Sequence, residues 1–101
     1  MAELLILRFE GVGEKEYKAV NAALGMDSSD PKADWPAGIQ WHGAGLADDG
    51  TFVVTEVWES REAQGAFMET RLGAALAAGG VTGMPDVTWV PLWTSTVVDP
   101  G

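Results

Sequence analysis

The stretch Trp58-Glu59-Ser60-Arg61-Glu62 constrains the fold more than any other part of the chain. Thr51 to Val57 before it is rich in β-branched residues and has strand character. Arg61 onward has helix character. A bulky indole closes the strand, and Ser60 can accept a hydrogen bond from the first turn of the helix. Glu62 then sits where the helix dipole favours a negative charge. Together these residues predict a sharp strand-to-helix corner.

The elements around that corner follow from periodicity. Glu3 to Glu10 is almost continuously apolar, with Leu4, Leu5, Ile6, Leu7 and Phe9, as in a strand covered on both faces. Glu14 to Leu24 puts Tyr17, Val20 and Leu24 on one helical face and ends at Gly25. Met26 to Gly38 lacks periodicity and predicts a long loop of the kind that often borders a ligand. Within it, Trp35 precedes Pro36 and is biased toward extended backbone. Ile39 to Leu46 reads as the second strand, Asp48-Asp49-Gly50 as a hairpin turn, and Thr51 to Trp58 as the third strand. The apolar phase of the second helix drifts near Gly73, which predicts a kink or two short helices. Val87 to Val97 is expected to be the last strand, with Val87, Trp89 and Trp93 on one face. Pro91 directs that strand to an edge or a bulge.

The order β-α-β-β-α-β with right-handed crossovers gives an α+β, ferredoxin-like fold. It is a four-stranded antiparallel sheet with the first and third strands central and both helices on one face. The 101 residues fit one domain spanning 1–101. One of the two alternate sets on the third strand, Phe52, Val54, Trp58 or Val53, Thr55, Val57, must face away from the helices. Either way the uncovered face is apolar, which a soluble monomer avoids. A second copy packed sheet to sheet, in a homodimer, covers it.

Charge and composition narrow the partners. Fifteen acidic against six basic side chains leave a net charge of −9, which repels a phosphate backbone, so nucleic acid is not an expected partner. No apolar run approaches the ~20 residues of a membrane span. The start, Met-Ala-Glu-Leu-Leu-Ile-Leu, lacks the features of a signal peptide, so a cytoplasmic location is expected. Without cysteine there is neither a disulfide nor a thiolate metal site. Five tryptophans in this length suggest a core, an interface and an aromatic-lined pocket together.

These residues resemble the dimeric α/β-barrel superfamily, in particular its antibiotic-biosynthesis-monooxygenase-like group of small actinobacterial proteins. The resemblance spans nearly the whole chain. It rests on Tyr17 with Val20 and Leu24-Gly25, Pro36-Ala37-Gly38, Trp41-His42-Gly43, Val57-Trp58-Glu59-Ser60 with Glu62 and Phe67, and Arg71-Leu72-Gly73. It implies a pair of sheets forming a barrel, with a hydrophobic cavity lined by Trp58. The implied activities are diverse: cofactor-independent oxygenation of polyketide phenols, haem degradation, aromatic cyclisation or isomerisation. The haem-degrading branch carries a histidine on the second helix, and Arg61 to Ala78 contain none, so haem is not expected and no cofactor is assigned.

His42, the single histidine, is the candidate catalytic residue, able to act as general acid or base or to polarise a phenol. It serves equally well as a hydrogen-bonded histidine in an interface. Strict alternation puts it on one face with Gln40 and Ala44. Glu56 shares a strand face with Trp58 and Val54, where a carboxylate needs compensation. It either pairs with Arg8 on the neighbouring strand or lines a cavity as an acid or base. Arg8 is a structural partner or an anchor for an anionic substrate. Trp41, Trp58, Trp89 and Trp93 can wall a cavity or simply pack. Tyr17 reads as helix-to-sheet core, and Asp27, Ser28, Ser29 and Asp30 as loop polar groups and caps. A lone histidine without a carboxylate or thiolate cluster does not complete a metal shell. Two functions are consistent with this set. One is an enzyme of secondary metabolism acting on an aromatic or polyketide-like substrate by cofactor-free oxygenase-like or cyclase-like chemistry. The other is a non-catalytic dimer, of structural or stress-related role, that binds a hydrophobic small molecule.

Overall fold

Alternation along β3 (Phe52–Trp58) determines which side of the sheet becomes the core. Phe52, Val54, Glu56 and Trp58 are buried, while Val53, Thr55 and Val57 between them are only partly covered. β1 (Glu3–Phe9) repeats the pattern, burying Leu5, Leu7 and Phe9. Directly opposed residues on antiparallel strands share a face, and the register sets Leu5 against Glu56, Leu7 against Val54 and Phe9 against Phe52. The structure is a computed structural model that describes residues 2–101.

β2 (Ile39–Leu46) and β4 (Asp86–Pro91) flank the central pair, giving an antiparallel sheet in the order β2-β3-β1-β4. The ferredoxin-like arrangement expected from the sequence is present. α1 (Glu14–Leu24) turns Val20 into the core and ends at Gly25, whose φ of 71° is left-handed and whose N–H reaches back to the carbonyls of Asn21 and Ala22. α2 (Arg61–Phe67) starts at the predicted corner. Ser60 Oγ accepts the Ala63 N–H at 3.2 Å.

The drifting phase of the second helix has a defined cause. α2 gives way to a π-helical turn, Met68–Leu72, before α3 (Gly73–Ala78) resumes. A π turn accommodates one extra residue per turn. Phe67 before it and Ala75 after it are both buried, so the turn keeps the two helical pieces facing the sheet.

Two strand expectations need correction. β4 ends at Pro91, not at Val97. Pro91 lies opposite Glu3, where β1 begins, and a proline offers no N–H to extend the ladder. Leu92 makes one further bond, to the Ala2 carbonyl, and Trp93 beyond it is 97% exposed instead of sharing a strand face with Trp89. In β2 the register slips between Ile39 and Trp41. Ile39 pairs with Trp58 and His42 with Glu56, so both point toward the helices, whereas Gln40 is the extra, exposed residue of the bulge. The inward neighbour of His42 is therefore Ile39, not Gln40.

The opposite face of the sheet carries Leu4, Ile6, Val53, Thr55 and Val57, none of them fully buried. Trp41 lies there too, 54% exposed, its ring over Gly43 so closely that a Cβ at that glycine would come within 2.5 Å of the indole. Among the described residues no helix is long and apolar enough to cross a membrane.

Candidate functional site

A chain of side-chain hydrogen bonds runs from the centre of the core to the loop after α1. Glu56, 7% exposed, accepts the Trp58 indole N–H on Oε1 at 3.0 Å and meets His42 Nδ1 with Oε2 at 2.9 Å. His42 Nε2 meets the Tyr17 hydroxyl at 2.8 Å. That hydroxyl lies 2.6 Å from Ser28 Oγ, which accepts a bond from Asn21 Nδ2 at 2.9 Å. With Glu56 ionised and the imidazole neutral, every donor points the same way. Nδ1 donates to the carboxylate, Tyr17 donates to Nε2, Ser28 donates to Tyr17, and Asn21 donates to Ser28. An unpaired carboxylate at this depth costs several kcal/mol. Here two donors on opposite sides compensate it. Among the described residues no buried side-chain nitrogen or oxygen lacks a partner.

The elements place these groups for plain reasons. Glu56 and Trp58 are two apart on β3 and share its inward face. The unbroken β2–β3 register from Leu46–Phe52 through Ala44–Val54 sets His42 inward opposite Glu56, and the bulge beyond Trp41 brings Ile39 to the same face. Tyr17 and Asn21 are four apart on α1 and so lie on one helical face. Ser28 is brought in by a turn in which Asp27 accepts both the N–H and the hydroxyl of Ser29. Those two bonds hold the exposed Asp27 carboxyl below the usual aspartate range.

Beside this chain lies a cavity of about 90 Å³ with an almost wholly carbon wall. Leu7, Phe9, Val20, Leu24, Phe52 and Leu72 form much of it, with Tyr17, Ser28, His42 and Glu56 at its border. A second, open chamber of about 560 Å³ lies outside, bounded by Ser28, Ser29, Pro31, Trp35, Gln40 and Trp41 among others. Ser28, Trp35, Ile39 and His42 border both chambers and form the neck between them. The Trp35 ring centroid is 5.3 Å from that of His42, and its indole N–H is fixed on the Asp30 carbonyl at 2.9 Å.

Of the residues singled out in the sequence, His42 and Glu56 meet at the cavity. Trp58 is fully buried against Phe67 and does not line it; its part is to hold Glu56. The expected Glu56–Arg8 pair is not formed. Arg8 projects from the other face of the sheet and approaches Asp49 at 3.9 Å, because it sits one position out of phase with Leu7 and Phe9. Trp41 borders only the outer chamber and the far sheet face. Trp89 packs at the edge of the core beneath the Arg61 guanidinium, 5.3 Å from the ring centre, away from the cavity. Trp93 is solvent-exposed and takes no part in the cavity. Sequence reading gave Tyr17 to the core, Ser28 to the loop caps and Trp35 only to a loop of the kind that borders a ligand, and it passed over Asn21. The pairing of Tyr17 with Asn21, two polar groups four apart on an otherwise apolar helix face, was the available signal.

No protein-family model matches the chain, and no curated protein matches it in sequence. Solved structures do match it in shape. A protein of unknown function from Nitrosomonas europaea superposes with a TM-score of 0.66 at 18% identity, covering 97% of this chain and 95% of the other. A protein from Mycobacterium tuberculosis gives 0.64 at 20% identity, covering 96% and 100%. A protein from Chloroflexus aurantiacus assigned as an antibiotic biosynthesis monooxygenase gives 0.62 at 18% identity, covering 97% and 100%. The chain shares the fold of these proteins, including that of the monooxygenase-like one, over nearly its full length.

Proposed function

We propose that the chain is a small-molecule enzyme acting on an aromatic or polyketide-like substrate, with cofactor-free oxygenase-like or cyclase-like chemistry. The observation that carries this reading is the Glu56–His42–Tyr17 chain at the border of an apolar cavity. A carboxylate on Nδ1 fixes the imidazole tautomer and stabilises the imidazolium that forms when Nε2 takes a proton. A phenol or enol at the neck gives up its proton through Tyr17 to His42, and the apolar wall holds the resulting carbanion-like ring out of water. Such an anion is reactive toward oxygen or toward its own carbonyl, so the chemistry resides in the substrate and the protein supplies proton removal and shielding.

His42→Ala is the test. Turnover of an aromatic phenol is expected to fall by about 10²–10⁴-fold, the usual worth of a general base, while the fold remains. Unchanged turnover would remove His42 from the chemistry.

A second reading, a non-catalytic carrier of a hydrophobic molecule, draws on the complete pairing of the polar chain, which needs no substrate to satisfy it. We also propose a homodimer through the outer sheet face, on the strength of its half-covered Leu4, Ile6, Val53 and Val57 and its exposed Trp41. Light scattering at micromolar concentration is expected to give twice the mass of the chain, and Trp41→Glu to give the single mass.

A further inference from the structure

We infer that the inner chamber is a binding site for dioxygen, held apart from the aromatic ring that the outer chamber takes. This rests on the oxygenase-like form of the function proposed above, and it adds where the second reactant sits.

Size excludes a ring from the inner chamber. It measures about 90 Å³, and its wall is almost wholly carbon. An engineered apolar cavity of roughly 150 Å³ is known to take up benzene or xenon. The inner chamber is too small for benzene, yet well above the ~30 Å³ that one water fills in the liquid. It has room for a molecule of a few heavy atoms.

Polarity excludes water. A buried water needs roughly two to four polar partners. Tyr17, Asn21, Ser28, His42 and Glu56 border the chamber, but they spend their polar atoms on one another, and Glu56 takes the Trp58 indole as well. Leu7, Val20, Val54, Leu72 and Leu76 offer a water nothing. A small apolar molecule gives up no hydrogen bond on entering such a space. Dioxygen is the molecule of that class that oxygenase-like chemistry consumes.

The outer chamber has the complementary properties. At about 560 Å³ it is in the size range of small-molecule sites, and Trp35 and Trp41 border it together with Ser28, Ser29 and Gln40. His42 borders both chambers, as do Ser28, Trp35 and Ile39. A ring outside and a gas molecule inside are thus separated by one layer of side chains that includes His42.

The test is methyl proton relaxation of the purified chain under dioxygen pressure, with nitrogen at the same pressure as the blank. Dioxygen is paramagnetic and speeds the relaxation of the methyl groups it visits. Leu7 and Val54 line the chamber. Leu5 lies two residues from Leu7 on the same face of β1, is more deeply buried at 1% exposure, and does not line it. The enhancement at Leu7 and Val54 is expected to be several-fold larger than at Leu5. Equal enhancement at all three overturns the inference. Leu76→Phe, which puts extra carbon into the chamber, is expected to bring Leu7 and Val54 down to the level of Leu5. Leu72→Phe serves if that variant fails to fold. An enhancement that the filled chamber leaves unchanged also overturns the inference. Saturating 2-naphthol is expected to leave the wild-type contrast in place, and loss of the contrast would mean that the ring occupies the inner chamber, which overturns the inference as well. A contrast in a chain that binds no 2-naphthol supports the dioxygen site and removes the aromatic reading. Turnover lost in His42→Ala, with no contrast in the wild type, leaves that reading standing and removes only this one.

Discussion

The layer between sheet and helices has two halves built differently. Toward the start of α2, Trp58 is fully buried and packs on Phe67, with ring centroids 6.0 Å apart, and only the far side of Phe67 reaches the cavity. Toward α1 and the loop after it, Tyr17, His42 and Trp35 stand around a hollow. Both halves are rich in aromatic residues, so aromatic content does not separate them. What separates them is where the polar atoms of the rings find partners. Trp58 directs its N–H sideways along its own strand to Glu56, which lets its faces pack. Tyr17 and His42 use their polar atoms on each other across the layer, which spaces α1 from β2 and leaves room. Glu56 sits on the seam and serves both halves.

The sharpest way to break this contrast is Trp58→Ala. It removes the packed half and one donor from Glu56 at once, and a loss of about 3–5 kcal/mol in unfolding free energy is expected from denaturant titration. A loss comparable to that of an exposed residue would mean that the packed half carries no special weight. Tyr17→Phe tests the hollow half and should do much less to stability. The ring remains and one hydroxyl goes, so about 1 kcal/mol is expected in the same titration. Turnover should fall with it, because His42 Nε2 loses its link toward the neck. A larger stability loss in Tyr17→Phe than in Trp58→Ala would invert the comparison.

The fold was legible because its signals are local. Ser60 after Trp58, Gly25 after Leu24 and alternation through Phe52, Val54 and Trp58 each report on their own neighbourhood. The site was half legible. His42 and Glu56 could be named from residue type, but their meeting depends on the register of the β2–β3 hairpin, which a turn at Asp48-Asp49-Gly50 alone does not fix, and nothing in the side chains of Ile39 to Trp41 announces the extra residue that puts Ile39 beside His42. Arg8 was assigned a possible partnership with Glu56 because β1 is apolar at both parities, with Leu4 and Ile6 as well as Leu5 and Leu7, which hides which parity faces inward. Tyr17 looked like core because its neighbours Val20 and Leu24 are core. Trp35 was placed in a loop of the kind that borders a ligand, but which way its ring points could not be read, because a loop has no period.

The π turn at Met68–Leu72 is an insertion recorded in the backbone. Without its extra residue the chain could run as plain α-helix from Arg61 to Ala78, and every later side chain would turn by about 100° around the axis. Ala75 would leave the sheet, and Leu72 and Leu76, which border the cavity, would no longer face it together. The length of this segment is therefore a dial on cavity shape. A lineage can reshape the pocket by gaining or losing one residue here, with no substitution at the neck at all.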